Sequence, residues 1–377
     1  MIRLSDNYTD LNDIKAVGRV VKSGWFTQGP RVEEFEKKFA EYIGVKYAIA
    51  VNSCTAALHL AIKSIGIKTG DEVIVPSLSF VATANCVLFV GGKPVFAEID
   101  PDTLNIDPEY IEKKINSKTK AIIPVHFAGM PAEMDLINKV ANENNLFVIE
   151  DDAHAIGAKY RDKMTGNLGD IGCFSFYSNK NITTGEGGML TTNDKKIAEV
   201  VKMTRTHGMS KSLWERIDKK ASWNYDIVEL GYNYRMNEMG AALGIEQLKK
   251  LEKMNKKRIR NAKMLTNLLK GVNEIIIPKV EKHVKHVFYI FPIRMTNTKI
   301  SRDDFIEKLR INGIEAGVHY PLIHLFTLYR KLFGHKTGDL PITETVSQQL
   351  VTLPMHQKLN KKEIKYVANT VKAILED

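Results

Sequence analysis

The most restrictive feature of this sequence is a series of short, uninterrupted apolar runs between residues 47 and 192. Runs without polar alternation are typical of strands that are buried on both faces of a parallel sheet. Helical stretches separate several of them, and that alternation predicts an α/β fold with a doubly wound sheet. Seven strands are predicted, at 47–51, 72–75, 94–97, 121–125, 146–150, 171–176 and 189–192, and the helices between them include 55–64, 82–89, 108–115 and 132–143.

Two helical pieces precede this region, and one long helix follows it. The first two lie within residues 10–46, on either side of a turn at 25–30, and the long helix is predicted around 237–257. We place a domain boundary inside the long helix, between a large domain (1–250) and a small one (251–377). Apolar residues at helical spacing are the evidence for two of these helices. They are Val32, Phe35, Phe39 and Ile43 in the second N-terminal helix, and Ala241, Ile245, Leu248 and Leu251 in the long helix.

The sequence pattern after the long helix predicts a smaller α+β domain. A strand is expected at 286–294, a helix at 302–312 and a second strand at 316–320. Asn360 and Glu363 form a capping-box pattern, and the amphipathic sequence that follows predicts the last helix. The length of the chain, 377 residues, also favours two domains over a single core.

Composition limits the class of protein. Hydrophobic residues make up 44% of the chain, but no apolar run reaches the ~20 residues that a membrane-spanning helix needs. The first residues lack the charged and then apolar regions of a secretory signal, so we expect a cytoplasmic protein without membrane insertion. The three cysteines, Cys54, Cys86 and Cys173, form neither a disulfide framework nor a metal-binding spacing, and we expect no metal site.

The net charge of +10, from 54 basic and 44 acidic residues, is compatible with two kinds of partner. A basic protein can bind nucleic acid, or it can bind a small anionic substrate such as a nucleotide diphosphate. Much of the excess lies in lysine-rich helical stretches such as 247–253 and 256–258, where solvated helix faces explain it best. The charge alone decides little, and we expect no nucleic-acid partner.

A lysine and several carboxylates lie at the ends of two predicted strands. The strand at 171–176 leads into a polar turn that carries Lys180. The strand at 146–150 ends in Glu150, and Asp151 and Asp152 follow it directly. In open α/β sheets, ligands bind at this edge. An amine that forms a Schiff base and an acid that pairs with a pyridinium nitrogen suit a pyridoxal phosphate (PLP) site. A surface lysine and a helix-capping aspartate are the structural alternative.

Seven motifs extend this interpretation over nearly the whole chain. They are WFTQGP at 25–30, VNSCTAALHLA at 51–61, PSLSFVATAN at 76–85, EDDAHAIGA at 150–158, FSFYSNKNITTGEGG at 174–188, GYNYRM at 231–236 and GVHYP at 317–321. With them the chain resembles the fold-type I PLP enzymes and, more closely, the DegT/DnrJ/EryC1/StrS family of sugar aminotransferases. The resemblance implies a mostly parallel seven-stranded sheet domain and a smaller α+β C-terminal domain.

The resemblance assigns the chemistry to two residues. Lys180 would form a Schiff base with PLP and, when its amine is free, would shuttle a proton. Asp151 would pair with the pyridinium nitrogen and keep it protonated. Asp152 competes for that role, but the order Glu-Asp-x-Ala-His favours Asp151. Because some relatives have histidine in place of this lysine and are dehydratases, Lys180 favours transamination.

The phosphate of the cofactor would bind at the start of the predicted helix at 55–64. Free N–H groups and the helix dipole favour an anion there, although Ser53 is also an ordinary N-cap residue. By resemblance, Cys54 and Thr55 bind the phosphate mainly through their backbone, together with Ser53. Cys54 stands where glycine or another small residue is usual. Ser175 resembles the hydroxyl donor to the same phosphate.

Other residues of the family's site also have counterparts. Phe80 matches the aromatic ring that stacks on the cofactor, and His154 takes a position, often glutamine, near its phenolic oxygen. A residue of the apolar core is the alternative for both. The segment with Asn233 and Arg235 matches the one that crosses a dimer interface, where the asparagine reaches the partner's cofactor. The resemblance thus implies a homodimer with shared active sites, and it places Arg235 among the substrate-binding residues.

His319 and Tyr320 resemble substrate-side residues from the small domain, and Trp25 and Phe26 are assigned to the same mouth. The implied reaction is ping-pong. An amino acid, L-glutamate by analogy, converts PLP to its amine form, PMP, which aminates a nucleotide-linked keto-sugar, most typically a 4-keto-6-deoxyhexose on UDP, GDP or dTDP. The product would enter pathways to lipopolysaccharide, other surface polysaccharides, glycans or antibiotics. The alternatives are amination of a 3-keto-sugar or a cyclitol ketone, sugar dehydration, and a non-catalytic regulator.

Overall fold

The computed structural model describes residues 1–210, 225–277, 279–296 and 298–376. Seven strands form the main sheet, in the order β1-β9-β8-β5-β4-β2-β3. Strand β9 is antiparallel to both of its neighbours, and the other adjacent pairs are parallel. Strands β1 to β9 are, in chain order, Tyr47–Val51, Glu72–Pro76, Lys93–Ala97, Thr119–Ile122, Phe147–Asp151, Lys159–Tyr160, Lys163–Met164, Ile171–Ser175 and Gly188–Thr192.

All seven predicted strands of the sheet are present, with ends displaced by three residues or fewer. The helices α1 to α7 also lie where helical stretches were predicted or between the strands. Their bounds are Leu11–Ser23, Pro30–Ile43, Cys54–Ser64, Ala82–Phe89, Pro108–Lys114, Met134–Glu143 and Lys195–Thr204. The predicted mostly parallel α/β fold is therefore confirmed.

Helices cover both faces of the sheet, as alternating residues of β1 show. Ile49 and Val51 pack in the apolar cluster that includes α3 and α4, whereas Ala48 and Ala50 pack in the cluster that includes α2. Successive side chains of a strand point to opposite faces, so the two clusters lie on opposite sides of the sheet. Burial on both sides explains why the strands read as continuous apolar runs.

The long helix α8 (Glu238–Leu269) connects the two apolar regions of the chain. Its first half contributes Ala241 and Ile245 to the core beside α2, and its second half contributes Leu265 to the C-terminal core. The helix spans 32 residues and ends beyond the predicted residue 257, because its apolar stripe continues into that second core. It passes without a break through position 250, and the proposed boundary between the domains stays a prediction.

The C-terminal part contains a three-stranded sheet in the order β10-β12-β13. The strands β10 to β13 are Ile275–Ile276, Val284–Lys285, Phe291–Met295 and Leu350–Leu353, and β11 pairs with β6. The helices α9 to α12 are Arg302–Ile311, Thr327–Phe333, Pro341–Gln349 and Lys361–Glu376. The side chain of Asn360 caps the last helix and that of Glu363 accepts from the Asn360 N–H, as predicted.

Two predicted strands in this region need correction. The prediction of one strand over 286–294 is wrong at its start, since the regular strand begins at Phe291. The prediction of a strand at 316–320 is wrong: only Gly317 forms an isolated bridge, with Thr352, and the chain then turns away. The third strand is instead the short apolar run β13, which pairs with β12. Among the described residues, no helix combines the length and apolar character needed to cross a membrane.

Candidate active site

A cavity of about 380 Å³ lies at the carboxyl ends of strands β1, β2, β5 and β8. This is the edge at which open α/β sheets bind ligands, and the volume is within the usual range of ligand sites. Ten of the residues predicted from the sequence line it. They are Ser53, Cys54, Thr55, Phe80, Asp151, His154, Ser175, Lys180, His319 and Tyr320.

Asp151, the last residue of β5, presents its buried carboxylate to this cavity. The Thr83 hydroxyl donates to Oδ2 at 2.8 Å, and the backbone N–H of Ala153 donates to Oδ1 at 3.1 Å. Burial raises the pKa of Asp151, while these two hydrogen bonds and the nearby Lys180 lower it. The carboxylate is held at a fixed position, where a cationic nitrogen would stabilise its charged form.

The neighbouring acids Glu150 and Asp152 lie outside the cavity wall, in a buried cluster with His126. The carboxylate of Glu150 accepts from the backbone N–H groups of Gly166, Leu168 and Gly169 at 2.7–2.9 Å. Ala132 donates its N–H to Nδ1 of His126, so Nε2 carries the hydrogen and donates to Glu150. Glu150 therefore fixes a loop, and the geometry favours Asp151 over Asp152 for contact with a ligand.

Lys180 lies in the connection between β8 and β9, with a half-buried side chain. Its backbone N–H donates to the carbonyl of Tyr177 at 3.0 Å, which closes a turn. Its Nζ atom lies 4.2 Å from the centre of the Tyr289 ring. The primary amine therefore reaches the same cavity as the Asp151 carboxylate.

The start of α3 forms a site for an anion on the cavity wall. Ser53 is the N-cap, and its Oγ accepts from the N–H of Ala56 at 3.1 Å. The N–H groups of Cys54 and Thr55, the first residues of the helix, have no partner within the helix. The Ser175 hydroxyl lines the same cavity. Burial raises the pKa of the Cys54 thiol, so this cysteine adds no negative charge to the site.

His154, Tyr320 and His319 form the other side of the cavity. The N–H of Ala128 donates to Nδ1 of His154 at 3.3 Å, so Nε2 carries the hydrogen and donates to the Tyr320 hydroxyl at 3.0 Å. Burial lowers the pKa of His154 well below its usual value. Burial also lowers the pKa of His319 to about 4, and its Nδ1 lies 3.0 Å from the Thr352 hydroxyl. Both imidazoles are neutral at neutral pH.

The three aromatic residues predicted to stack on the cofactor (Phe80) or to form the mouth of the site (Trp25 and Phe26) lie in two different places. The ring of Phe80 lines the cavity, is 57% exposed and lies 6.1 Å from the ring of Tyr320. Trp25 and Phe26 do not line the cavity of the same chain. Nε1 of Trp25 donates to the carbonyl of Gln28 at 3.4 Å, and the carbonyl of Phe26 accepts from the N–H of Glu238.

Asn233 and Arg235 also lie outside the cavity of their own chain. Their segment runs beside the end of β1, where Arg235 forms an isolated antiparallel bridge with Val51. The side chain of Asn52 donates to the carbonyl of Asn233 at 3.4 Å. Roles for Asn233 and Arg235 at a ligand therefore require a second copy of the chain.

Sequence reasoning missed several residues that line the cavity. Tyr177 and Asn179 lie beside Lys180, and this proximity was the available signal for them. Tyr289 lies 109 positions after Lys180, and its neighbours in sequence gave no sign of a ligand site. The others are Leu58, Ser79, Ala82, Val125, Ala153, Glu186 and Gly187.

The groups around this cavity fit PLP. A primary amine (Lys180) can bond to an aldehyde, and a buried carboxylate (Asp151) can pair with a ring nitrogen. The helix start at Cys54 and Thr55 suits a phosphate. The cavity wall also contains apolar and aromatic side chains, including Phe80, which suit a flat ring. All four chemical requirements are met by one chain.

Comparisons with known proteins agree with this assignment. Residues 7–372 match the DegT/DnrJ/EryC1/StrS aminotransferase family. The spore coat polysaccharide biosynthesis protein SpsC of Bacillus subtilis is 40% identical over 96% of this chain and 94% of its own length. PseC of Helicobacter pylori, an aminotransferase of pseudoaminic acid biosynthesis, has a TM-score of 0.93 at 34% identity and covers 100% of this chain and 99% of its own. The putative sugar aminotransferase Spr1654 of Streptococcus pneumoniae, in its PMP form, has a TM-score of 0.94 at 29% identity. The match covers 100% of this chain and 99% of Spr1654.

Proposed function

This chain belongs to the DegT/DnrJ/EryC1/StrS aminotransferase family and is a PLP-dependent sugar aminotransferase, and we infer its substrates from that premise. We propose that it transfers an amino group from L-glutamate to a nucleotide-linked keto-sugar, a 4-keto-6-deoxyhexose, by a ping-pong mechanism. The observation that carries the proposal is the convergence of the Lys180 amine, the Asp151 carboxylate and the start of α3 on one cavity.

We propose distinct tasks for these groups. PLP, when bound, supplies an aldehyde for covalent attachment of amines and a ring that accepts electrons from a breaking Cα–H bond. Nζ of Lys180 would hold the cofactor and, once released, would take a proton from the Cα atom of the amino acid and deliver it to the cofactor carbon that bears the nitrogen. Asp151 keeps a proton on the ring nitrogen, and Thr83 and the Ala153 N–H hold this carboxylate in place.

The sugar would bind on the side of the cavity that is formed by His319 and Tyr320. Neutral His154 donates to the Tyr320 hydroxyl and so fixes the direction in which that hydroxyl can donate its own hydrogen. Relatives with roles in pseudoaminic acid and spore coat polysaccharide biosynthesis support a sugar substrate destined for a surface polysaccharide. The cytoplasmic location stays a prediction.

We further propose a homodimer in which Asn233 contacts the cofactor of the partner subunit, and Arg235, Trp25 and Phe26 lie near its substrate. The segment before Asn233 supports a second copy of the chain. It exposes several large apolar side chains, a feature typical of an interaction surface. Their exposed fractions are 43% for Tyr225, 52% for Ile227, 55% for Val228 and 71% for Leu230.

The first test locates the cofactor. Protein incubated with PLP, reduced with borohydride and digested should carry the pyridoxyl group on Lys180, as measured by mass spectrometry. Lys180→Ala should lose the absorbance band of the bound aldehyde, whereas Lys139→Ala, which changes an exposed lysine of α6, should keep it. Label on other lysines only, or a wild-type protein that does not bind PLP, would refute the assignment of Lys180.

The second test identifies the reaction. The loaded enzyme is incubated with 4-keto- and 3-keto-sugars on UDP, GDP and dTDP and with glutamate or glutamine, and amino-sugar products are measured by mass spectrometry. We expect an amino sugar to form only when a 4-keto substrate and glutamate are both present. A product that forms without an amino donor would indicate dehydration. Amination of a cyclitol ketone, with no nucleotide sugar accepted, would contradict the substrate class.

A further inference from the structure

Tyr289 lies in the C-terminal part of the chain but contacts the reactive lysine of the main sheet. The centre of its ring is 4.2 Å from Nζ of Lys180. The same ring stacks on the imidazole of His154, with 4.4 Å between the ring centres and 25° between the planes. Tyr289 is 3% exposed, so little of this ring is in contact with bulk water.

The hydroxyl of Tyr289 makes a separate contact with the segment that carries Lys180. It donates to Oδ1 of Asn179, the residue before the lysine, at 3.0 Å. The backbone N–H of Lys180 is in turn bonded to the carbonyl of Tyr177. Tyr289 therefore holds both the side chain of Lys180, through its ring, and the backbone segment from which that side chain extends.

The backbone of Tyr289 is itself fixed by hydrogen bonds from two parts of the chain. Its N–H donates to the carbonyl of Ala128 at 2.9 Å. Its carbonyl accepts from Nη1 of Arg258 at 3.2 Å, and the same guanidinium group donates to the carbonyl of Met355 at 2.9 Å. Arg258 is 1% exposed, and both of these hydrogen bonds go to backbone carbonyls. The position of the ring is thus determined by α8 and by the loop after β4.

These contacts matter because a lysine side chain is long and flexible. Its ammonium group is a point charge at the end of four rotatable carbons, and it takes a defined position only where other groups hold it. The face of an aromatic ring attracts such a cation within about 6 Å, more strongly where water is excluded. In the proposed function, Asp151 and the start of α3 would bind other parts of the cofactor and would not fix the direction of the lysine side chain.

We propose that Tyr289 is a positioning residue for Lys180: its ring holds the ε-amine toward the cavity. The importance of this role for catalysis rests on the proposed function, because Lys180 must reach both the cofactor and the substrate carbon. The contact itself can be tested separately, in protein from which the cofactor has been removed.

Two variants separate the ring from the hydroxyl. Tyr289→Phe keeps the ring and removes the bond to Asn179, and Tyr289→Leu removes the ring as well. Tyr329→Phe is the matched control, because the buried Tyr329 also donates to an asparagine Oδ1, that of Asn85 at 2.7 Å, away from the cavity wall. Thermal unfolding of each variant shows whether the fold is retained.

The first measurement uses the protein without cofactor. Lys180 is acylated under limiting reagent, and mass spectrometry compares its labelling with that of the exposed Lys139. An amine that is held against the ring must leave it before it can react with the reagent. Tyr289→Leu should therefore raise the relative labelling of Lys180 about 2- to 30-fold, whereas Tyr289→Phe and Tyr329→Phe should stay within about twofold of the wild type. Equal labelling in Tyr289→Leu and wild type would overturn the proposal.

The second measurement uses the PLP-loaded enzyme and the amino-acid half of the reaction. Tyr289→Leu should lower the maximal rate at least about 10-fold, a loss typical of a displaced reacting group, with a smaller change in the amino-acid concentration for half-maximal rate. Tyr289→Phe should recover most of that rate. If the wild type carries PLP on Lys180 and Tyr289→Leu reacts at the wild-type rate, the positioning role is refuted while the proposed function stands. If the wild type does not carry PLP on Lys180, the proposed function fails whatever the labelling shows.

Discussion

A single added methyl group at Gly188, the first residue of β9, should disrupt the anion site at the start of α3. A Cβ atom there would lie 2.5 Å from both the carbonyl carbon and the oxygen of Ser53, and 2.7 Å from the backbone nitrogen of Cys54. Ordinary contacts begin at 3.4 Å, so Gly188→Ala forces the two segments apart by 0.9 Å, the difference between 3.4 and 2.5. The three contacted atoms belong to the backbone, so no side-chain rotation can relieve the overlap.

Two consequences follow from this displacement. Overpacking of this kind typically costs about 1–3 kcal/mol of folding free energy. The N–H groups of Cys54 and Thr55 would also move relative to a bound phosphate, and one lost hydrogen bond to a charged group is worth about 1.5–3 kcal/mol. We therefore expect the Kd for PLP to rise about 10- to 150-fold.

Gly317→Ala is the control for this experiment. Its Cβ would lie 3.8 Å from Cδ2 of Leu4, an ordinary contact, although the position is close to His319. Thermal unfolding of the cofactor-free proteins and absorbance titration with PLP measure the two effects. Gly188→Ala should lose stability and affinity together, and Gly317→Ala should change neither appreciably. A Gly188→Ala protein with the wild-type Kd would refute the role given to the start of α3.

Two further predictions concern buried ionisable groups. Glu150→Ala should lower the free energy of unfolding in urea by several kcal/mol, at about 1–3 kcal/mol for each N–H donor left buried without a partner, whereas Glu199→Ala on the surface should change it little. For His319, the folded pKa of about 4 lies below the model-peptide value of 6.5, so the unfolded state binds its proton first as pH falls. His319 therefore costs no stability above pH 6.5, and about 3 kcal/mol of stability is lost between pH 6.5 and 4. His319→Gln should flatten the pH dependence of unfolding in that window, and an unchanged curve would contradict this.

The apolar pattern predicted the main sheet correctly because each of its strands is buried on both sides. Burial on both faces selects continuous apolar runs, which can be identified without knowledge of strand order. The same reasoning failed at 316–320, where Gly317 bridges to Thr352 and the chain then leaves the sheet to bring His319 and Tyr320 to the cavity. A five-residue stretch of sequence cannot distinguish these outcomes, because the partner strand decides them.

Position in the chain predicted which residues line the cavity wherever they follow the end of a strand. Lys180 and Ser53 are of this kind, since strand ends of one sheet share an edge. Asp151 lies at the end of its strand as well, but the sequence alone could not exclude Asp152. The tertiary structure separates the two, because successive side chains point in opposite directions and only Asp151 faces the cavity.

The sequence by itself therefore determined the sheet, its ligand-binding edge and the types of chemical group placed there, because all three depend on local periodicity and on where strands end. Only the tertiary structure decided which distant side chains meet at that edge. Tyr289 reaches Lys180 because Arg258 and Ala128 hold its backbone beside the cavity. Such contacts join residues far apart in the chain, and packing of the whole molecule, rather than local sequence, sets their geometry.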